Sequence, residues 1–508
     1  MNNKLNNTTM KRLFTLLMVA AATLAASATD YTDRLLVLVN GEGSEQQATI
    51  SVTEHDGLYD LKLKNFMLMN GTEPMPVGNV ELTGIQPEKA GDAIFLRANQ
   101  NIVVTAGDAE GVLFWMGPML GELPVEVVAV LENGALRALI NLDLMSLLQQ
   151  MVEVRFGEAL VTGRGYHIPN GGFEDWHVVT DDYKEPNGWH SFESATGALA
   201  PLAGHHLSRW STGGIGGSTC ARIYASSIFG IVANGTMTTG RMNAGSMSAA
   251  DPANNAYLDM SLTDVDANGD PFYIPLNSRP DSLVLWVQFH QGTASAEHPY
   301  ASVSAVITDG TYYQDPEDKE YTNVVAKAKN NTIAVTGEEW QRLSLPFEYV
   351  SASVQPRAIL ITISTNADPG QGSAYDEVLI DNISLVYNSR LSSLDVKGFQ
   401  PDVFQYVTES AVSIDNLAAQ ADGQGAYVLK SQVDDSNYAV TVYSGDLLSK
   451  SVYTIQVSVP NGISDLQRSS SAAGSYQLDG RPVSSLRPGQ VYIVRQADGT
   501  IVKKLHTR

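Results

Sequence analysis

I-P-N-G-G-F-E-D-W, Ile168 to Trp176, and Y-D-E-V-L-I-D-N-I-S-L-V-Y, Tyr375 to Tyr387, bracket the part of this chain that decides its fold. The first is a loop of glycine and carboxylate, the second a strand-length apolar run. About 200 residues of short β-like segments separate them. This pattern predicts one β-sandwich whose two ends meet. Inside it, Ser282 to Gln288 alternates as a half-buried strand does, and Ser218–Tyr224, Tyr257–Leu262, Ala301–Thr308, Trp340–Phe347 and Ala358–Ser364 are strand-length runs between turns. Five of the six tryptophans, Trp176, Trp189, Trp210, Trp286 and Trp340, lie within this span.

Working outward, Leu35–Val39 reads as an apolar strand, Thr49–Thr53 alternates, and Leu58–Met69 returns as a partner strand across a His55-Asp56-Gly57 turn. Asn79–Leu82, Ala93–Leu96, Ile102–Thr105, Val125–Leu131 and Ala135–Leu142 continue the series, the last two joined at Asn133-Gly134. Leu144, Leu147, Leu148 and Met151 stand at helical spacing and predict a short helix before a closing strand at Val152–Phe156. Eight or so strands with one helix predict an up-and-down barrel over 30–163. A barrel of this size either holds a small apolar ligand, lined by Met67, Met69, Phe114 and Trp115, or fills with its own side chains. After the central span, 391–459 reads as a further small sandwich. R-S-S-S-A-A-G, Arg468 to Gly474, is a linker by composition, and 475–508 is a terminal β-hairpin module.

The chain has 508 residues and a net charge of −23, which argues against nucleic acid or anionic lipid as partner. Its one cysteine, Cys220, excludes an intrachain disulfide. Lys4, Lys11 and Arg12, the apolar Leu13–Ala25 and the small residues Ala26-Ser27-Ala28 predict a secretory signal peptide over 1–28. The expected destination is across the inner membrane, in the periplasm, on the outer-membrane surface or outside the cell. No apolar run is long enough to predict a transmembrane helix.

Several segments resemble known families. Y-D-L-K-L-K-N-F, Tyr59 to Phe66, with V-G-N-V, Val77 to Val80, resembles the calycin-like (lipocalin-like) β-barrel domain. N-G-G-F-E-D-W, R-P-D-S-L-V-L-W-V (Arg279 to Val287) and S-A-Y-D-E-V-L-I-D-N-I-S-L-V-Y (Ser373 to Tyr387) resemble the carbohydrate metabolism domain of Gram-negative surface proteins over 166–388. The ends of that span are also similar to carbohydrate-binding jelly rolls. The span departs from the family at Ser364-Thr365-Asn366, where a serine pair is usual. Leu391 to Val459 resembles a cadherin-like (Ig-like) sandwich. Y-Q-L-D-G-R-P-V, Tyr476 to Val483, with the late Lys503-Lys504, is similar to a type 9 secretion sorting domain.

These resemblances imply an all-β, multi-domain secreted protein of carbohydrate metabolism, with a polysaccharide or oligosaccharide as partner. The jelly-roll likeness also implies a structural calcium between Glu174 and Asp381, with the carbonyl of Gly171; the alternative is that both carboxylates satisfy loop amides. Asp264-Val-Asp-Ala-Asn-Gly-Asp270 matches half of a calcium loop, but Pro275 stands where the bidentate glutamate belongs, so it reads as a turn. Sugars stack on exposed rings, and Trp176, Tyr183, Trp189, Trp210, Tyr312 and Tyr313 lie in loop-like surroundings that suit such contacts; the alternative for each is that it packs within the fold. Trp286 and Trp340 alternate with apolar residues and read as core. His205-His206 is an adjacent pair whose rings point apart on a strand. No metalloprotease, P-loop, dinucleotide or serine-hydrolase motif is present. Three functions stay open: glycan binding without catalysis, glycoside hydrolysis by an unrecognised carboxylate pair, and a structural or adhesive surface role.

Overall fold

Two-residue periodicity governs almost every folded segment of this chain, and the computed structural model is all-β. It describes residues 28–39, 42–70, 73–144, 149–161, 167–409, 413–458, 474–478, 481–483, 485–496 and 500–507. The expected signal segment up to residue 27, the linker at 468–473 and the Asp479-Gly480 turn lie outside these.

The first unit is an antiparallel sheet of nine strands. The chain meanders so that Glu73–Ile85 forms one edge and Pro87–Ala90 the other. A bridge between Asn79 and Thr105 brings the two sides together. Alternate side chains of each strand point inward, among them Leu35, Val37, Leu61, Val127, Ile140 and Phe156. A void among Ile50, Leu61, Leu82, Ile140 and their neighbours measures only about 10 Å³, roughly the least that admits one water. Phe114 is exposed rather than turned inward, and Trp115 is buried beside Gly107. The helix expected over 144–151 is not formed at either end. Leu144 closes the strand Ala135–Leu144 and Met151 belongs to the strand Gln150–Phe156; 145–148 lie outside the described residues. A four-residue helix follows the last strand, at Glu158–Val161.

The second unit is a sandwich. One sheet has five strands in the spatial order Leu207–Trp210, Cys220–Tyr224, Glu377–Val386, Ser282–His290 and Gln341–Pro346. The other has six, with Thr236–Thr238, Ala358–Ser364, Ala301–Thr308, Val324–Ile333 and Glu348–Tyr349 in order, and Ile274–Pro275 added beside Ala358–Ser364. Leu283, Leu285, Val287 and Phe289 from the first meet Val303, Ala305, Ile359 and Ile361 from the second. The two ends of the span do meet: the Ile383 amide donates to the Gly171 carbonyl at 2.8 Å. A side chain at Gly171 would strike the Ile383 carbonyl oxygen, so glycine is required at that approach.

A third, smaller layer packs on the outer face of the six-stranded sheet. It comprises Arg241–Ala244, Asn254–Leu258 and Tyr313–Asp315. Beyond residue 390, a four-stranded sheet includes the parallel pair Gln405–Thr408 and Lys450–Val457. A two-stranded sheet, Leu391–Leu394 with Ala419–Ala421, lies over the same core. The terminal segment is a three-stranded sheet, Gly474–Tyr476, Val491–Arg495 and Ile501–Leu505, one strand more than a hairpin. Among the described residues no helix is long and apolar enough to cross a membrane.

Candidate functional site

The outward face of the six-stranded sheet changes character along its strands. In A-S-V-S-A-V-I-T, Ala301 to Thr308, the odd-numbered residues face the core and Ser302, Ser304 and Val306 face away. In A-I-L-I-T-I-S, Ala358 to Ser364, the outward set is Ala358, Leu360, Thr362 and Ser364. The register pairs Ser302 with Ser364, Ser304 with Thr362 and Val306 with Leu360. Like therefore lies beside like. The apolar half, Val306 with Leu360 and Ala358, is covered by Met242, Ala256, Leu258 and Tyr313 of the third layer. The hydroxyl half is left as the floor of a cleft.

Thr236 extends that floor beside Ser364, and Lys329 extends it beside Ser304. The cleft has a volume of about 390 Å³, within the range of small-ligand sites. Asn243, Asn255 and Asp315 come from the edge of the third layer, and Asn234 and Asn366 from loops at one end. Met242, Met247, Ile228, Ile231, Leu199 and Leu202 form an apolar wall. Asp315 accepts a hydrogen bond from the Lys329 ammonium at 3.0 Å, so the two charges offset each other.

Three buried polar atoms on this lining have no partner: Ser304 Oγ, Asn255 Oδ1 and Asn234 Oδ1. The amide nitrogen of Asn255 is held by the Pro252 carbonyl at 2.8 Å. That of Asn234 donates to Asn366 and Asp368 carbonyls, both at 3.3 Å. Each carboxamide is thus fixed with its oxygen unsatisfied. Leaving such a group unpaired costs about 1–3 kcal/mol.

None of the aromatic residues expected to touch a sugar lines this cleft. Trp189 is fully buried, its ring 5.3 Å from that of Phe173, and its indole donates to the Pro169 carbonyl at 3.4 Å. Tyr313 is fully buried in the third layer, its hydroxyl 3.0 Å from Glu317. Neither ring can stack on a sugar from these positions. Alternation along the strand explains Tyr313: its neighbour Tyr312 faces out, beside Tyr257 and Tyr321. Trp176 is half-buried against the core, its indole bonded to the Phe173 carbonyl. Tyr183 stacks on His205 at 3.3 Å. Trp210 is exposed and lies over Gly213. Trp286 and Trp340 are half-buried rather than core.

The carboxylates named for calcium are engaged by loop groups. Asp381 is fully buried and accepts from the Ile215 amide at 2.7 Å, the Asn382 amide at 2.7 Å and the Ser218 hydroxyl at 3.2 Å. Glu174 accepts from the Thr219 amide at 3.0 Å, and the Gly171 carbonyl is taken by Ile383. Calcium wants six to eight oxygens, and this arrangement leaves too few for a good fit. Burial raises the Asp381 carboxyl, and the nearby Glu174 charge adds to the effect. Burial likewise pushes the Cys220 thiol up to about 12, far from a nucleophile's range. In the Asp264–Asp270 segment, Asp266 accepts from the Asn268 and Asp270 amides at 2.8 Å, as a turn does. Its other oxygen lies 3.3 Å from His190 and 3.6 Å from His177. Among the described residues no group of three or more His, Cys, Asp or Glu is placed to hold a metal. His205 is exposed and His206 fully buried, so the adjacent rings do point apart.

One signal of the cleft lies in the strand sequences themselves. Serine and threonine occupy the outward positions at one end of two neighbouring strands, while apolar residues hold the other end. Which half the third layer covers is set by residues distant in sequence, Met242, Ala256, Leu258 and Tyr313.

Residues 28–159 match the calycin-like beta-barrel domain family. No curated protein matches the chain. Among solved structures it is similar to a "putative glycoside hydrolase" from Bacteroides thetaiotaomicron, at 13% identity over 70% of this chain and 84% of that one, with a TM-score of 0.31. It is also similar to the mosquito-larvicidal Cry4Aa toxin of Bacillus thuringiensis, at 10% identity over 74% and 55%, with a TM-score of 0.20. Scores this low do not amount to a shared fold.

Proposed function

We propose that this chain, a calycin-like barrel joined to a sandwich with an open cleft, binds a carbohydrate in that cleft without cleaving it. The observation that carries the reading is the grouping of Ser304 Oγ, Asn255 Oδ1 and Asn234 Oδ1, buried and unpaired, on one lining. Around them are the hydroxyl side chains of Ser302, Thr362, Ser364 and Thr236. Sugars are recognised by such convergent hydroxyl and amide groups. Cleavage of a glycosidic bond uses two facing carboxylates. Among the described residues of the lining the one carboxylate is Asp315, held by Lys329. Asp381, the acid that burial raises beside Glu174, is fully enclosed and out of reach of a substrate. In this reading the amino-terminal segment carries the protein out of the cytoplasm, and the cleft presents or retains glycan at the envelope.

A glycan array probed with the whole chain tests the reading, with each hit then incubated and assayed for hydrolysis. Binding that falls about three- to tenfold in Asn255→Ala, with no product released, is the expected result. Released product assigns a hydrolase. Binding that ignores Asn255→Ala places the glycan elsewhere, with the Tyr312–Tyr257–Tyr321 face as the next surface to mutate.

A further inference from the structure

The wall of the cleft is as specific as its floor. Leu199, Leu202, Ile228, Ile231 and Met247 line one side. Three of them remain substantially exposed: Leu202 at 49%, Ile231 at 42% and Met247 at 51%. They are joined by Phe229, 79% exposed at the tip of the hairpin formed by Ser226–Ile228 and Ile231–Ala233. Single exposed apolar residues are ordinary, but four around the mouth of one polar-floored cleft form a patch.

The hairpin tip adds an independent observation. Ile228 pairs with Ile231, so the turn has two residues, Phe229 and Gly230, at φ 51° and 83°. Such turns favour Asn-Gly, because both central residues have positive φ. Phenylalanine there costs about 1–2 kcal/mol against an unstrained residue. The strained position holds a large, mostly exposed apolar ring between Ile228 and Ile231, which both line the cleft.

A simple glycan would satisfy the floor and leave this wall wet. We infer that the ligand of the cleft is an amphiphilic glycoside: a sugar on the Ser304–Asn255 floor, linked to an alkyl or acyl chain that lies along the wall under the Phe229 hairpin. The inference rests on the reading of the cleft as a glycan site and adds the chemical class of the ligand. The floor supplies hydroxyls and amides, which an alkyl chain cannot use. The wall supplies aliphatic and thioether surface, which a sugar hydroxyl avoids. Lys329 is already matched by Asp315, so an uncharged headgroup fits better than an anionic one.

The test uses the whole chain and titration calorimetry with the methyl, butyl and octyl glycosides of glucose, galactose and mannose, each below its micelle concentration. An octyl ether of tetraethylene glycol serves as the sugar-free control. Burying a methylene strengthens binding by roughly two- to fourfold, depending on how fully the wall covers it. For at least one sugar, octyl should therefore bind tenfold or more tighter than butyl, and the control should bind far more weakly than the octyl glycoside. Ile231→Ser with Met247→Ser, both at half-exposed positions, should remove the dependence on chain length. Asn255→Ala should weaken every member of the series alike. Equal affinity for methyl and octyl glycosides, still sensitive to Asn255→Ala, overturns the amphiphile and leaves the glycan site standing. Equal affinity for the octyl glycoside and the ether overturns the glycan reading. Failure of every series to bind overturns both.

Discussion

Ser304 brings stability and binding into opposition in one hydroxyl. Its Oγ is buried and unpaired, and the Ser304 residue is only 8% exposed. Ser304→Ala removes a desolvated group and leaves no orphan behind. The variant is expected to unfold at a denaturant midpoint equal to or above that of the parent, by about 1 kcal/mol, while glycan affinity falls. A loss of stability would mean that the hydroxyl is satisfied within the fold. His206 offers a second readout at this scale. It is fully buried between the carbonyls of Ala203 and Tyr224, at 2.7 and 2.9 Å. Burial holds its imidazole below the ordinary value of 6.5, against the pull of those carbonyls. The folded chain therefore binds fewer protons at His206 than the unfolded chain. That contribution to stability is present above pH 6.5 and is lost as pH falls through the lowered value. Denaturation followed from pH 7 to 5 should show a decline of up to about 1.4 kcal/mol per pH unit from this group. His206→Gln should flatten that slope, and an unchanged slope would assign it to other groups.

At the scale of elements, the cleft exists because two strands change their outward residues from apolar to hydroxyl at matching register. The third layer covers the first half, where burial of Val306, Leu360 and Tyr313 favours contact, and stops where Ser304 and Thr362 begin. Beside that open half, the Phe229-Gly230 turn belongs to a hairpin of three residues per strand, whose stability depends strongly on its turn. Phe229→Asn places a residue suited to positive φ at the tip. It should stabilise the chain by about 1 kcal/mol in denaturant melts and weaken octyl glycoside binding without changing methyl glycoside binding. A destabilised variant would show that the ring packs usefully on the chain.

Across the whole molecule, the barrel does more than precede the sandwich. On its outer face Phe95 and Val130 pack against Leu429, Tyr443 and Leu447 of the unit beyond residue 390. The Phe95 ring lies 5.0 Å from Tyr427 and 5.6 Å from Tyr443. Arg137 donates to the Tyr427 hydroxyl at 2.7 Å and to the Gly445 carbonyl at 3.2 Å. That same unit reaches the central sandwich, where Asp281 accepts from the Gln424 amide at 2.9 Å. It therefore ties the first and second units together. Truncating a buried phenylalanine removes about 3–5 kcal/mol, and here the loss falls on the joint. Calorimetry should show the barrel and the post-390 unit melting together in the parent and separately in Phe95→Ala. A single transition in the variant would mean that the remaining contacts suffice.

Much of this was written in local pattern. Alternation along Thr49–Thr53 and Ser282–Gln288 determined strands, because a strand turns one face to the core at every second residue. Asn133-Gly134 and Asp56-Gly57 determined tight turns, since both tolerate positive φ. The resemblance at Tyr59–Phe66 and Val77–Val80 already pointed to a calycin-like barrel. Tertiary structure alone decided the rest. Trp189 and Trp286 both stand near strand-like sequence, yet Trp189 is enclosed and Trp286 half-buried, because enclosure depends on what a distant segment lays over each ring. Leu144 and Met151 stand at helical spacing but sit on paired antiparallel strands, since an i, i+7 pattern does not show which segment each end pairs with. The cleft itself could not be read locally: its floor joins residues 236, 304 and 364, and its openness is set by where a third sheet happens to end.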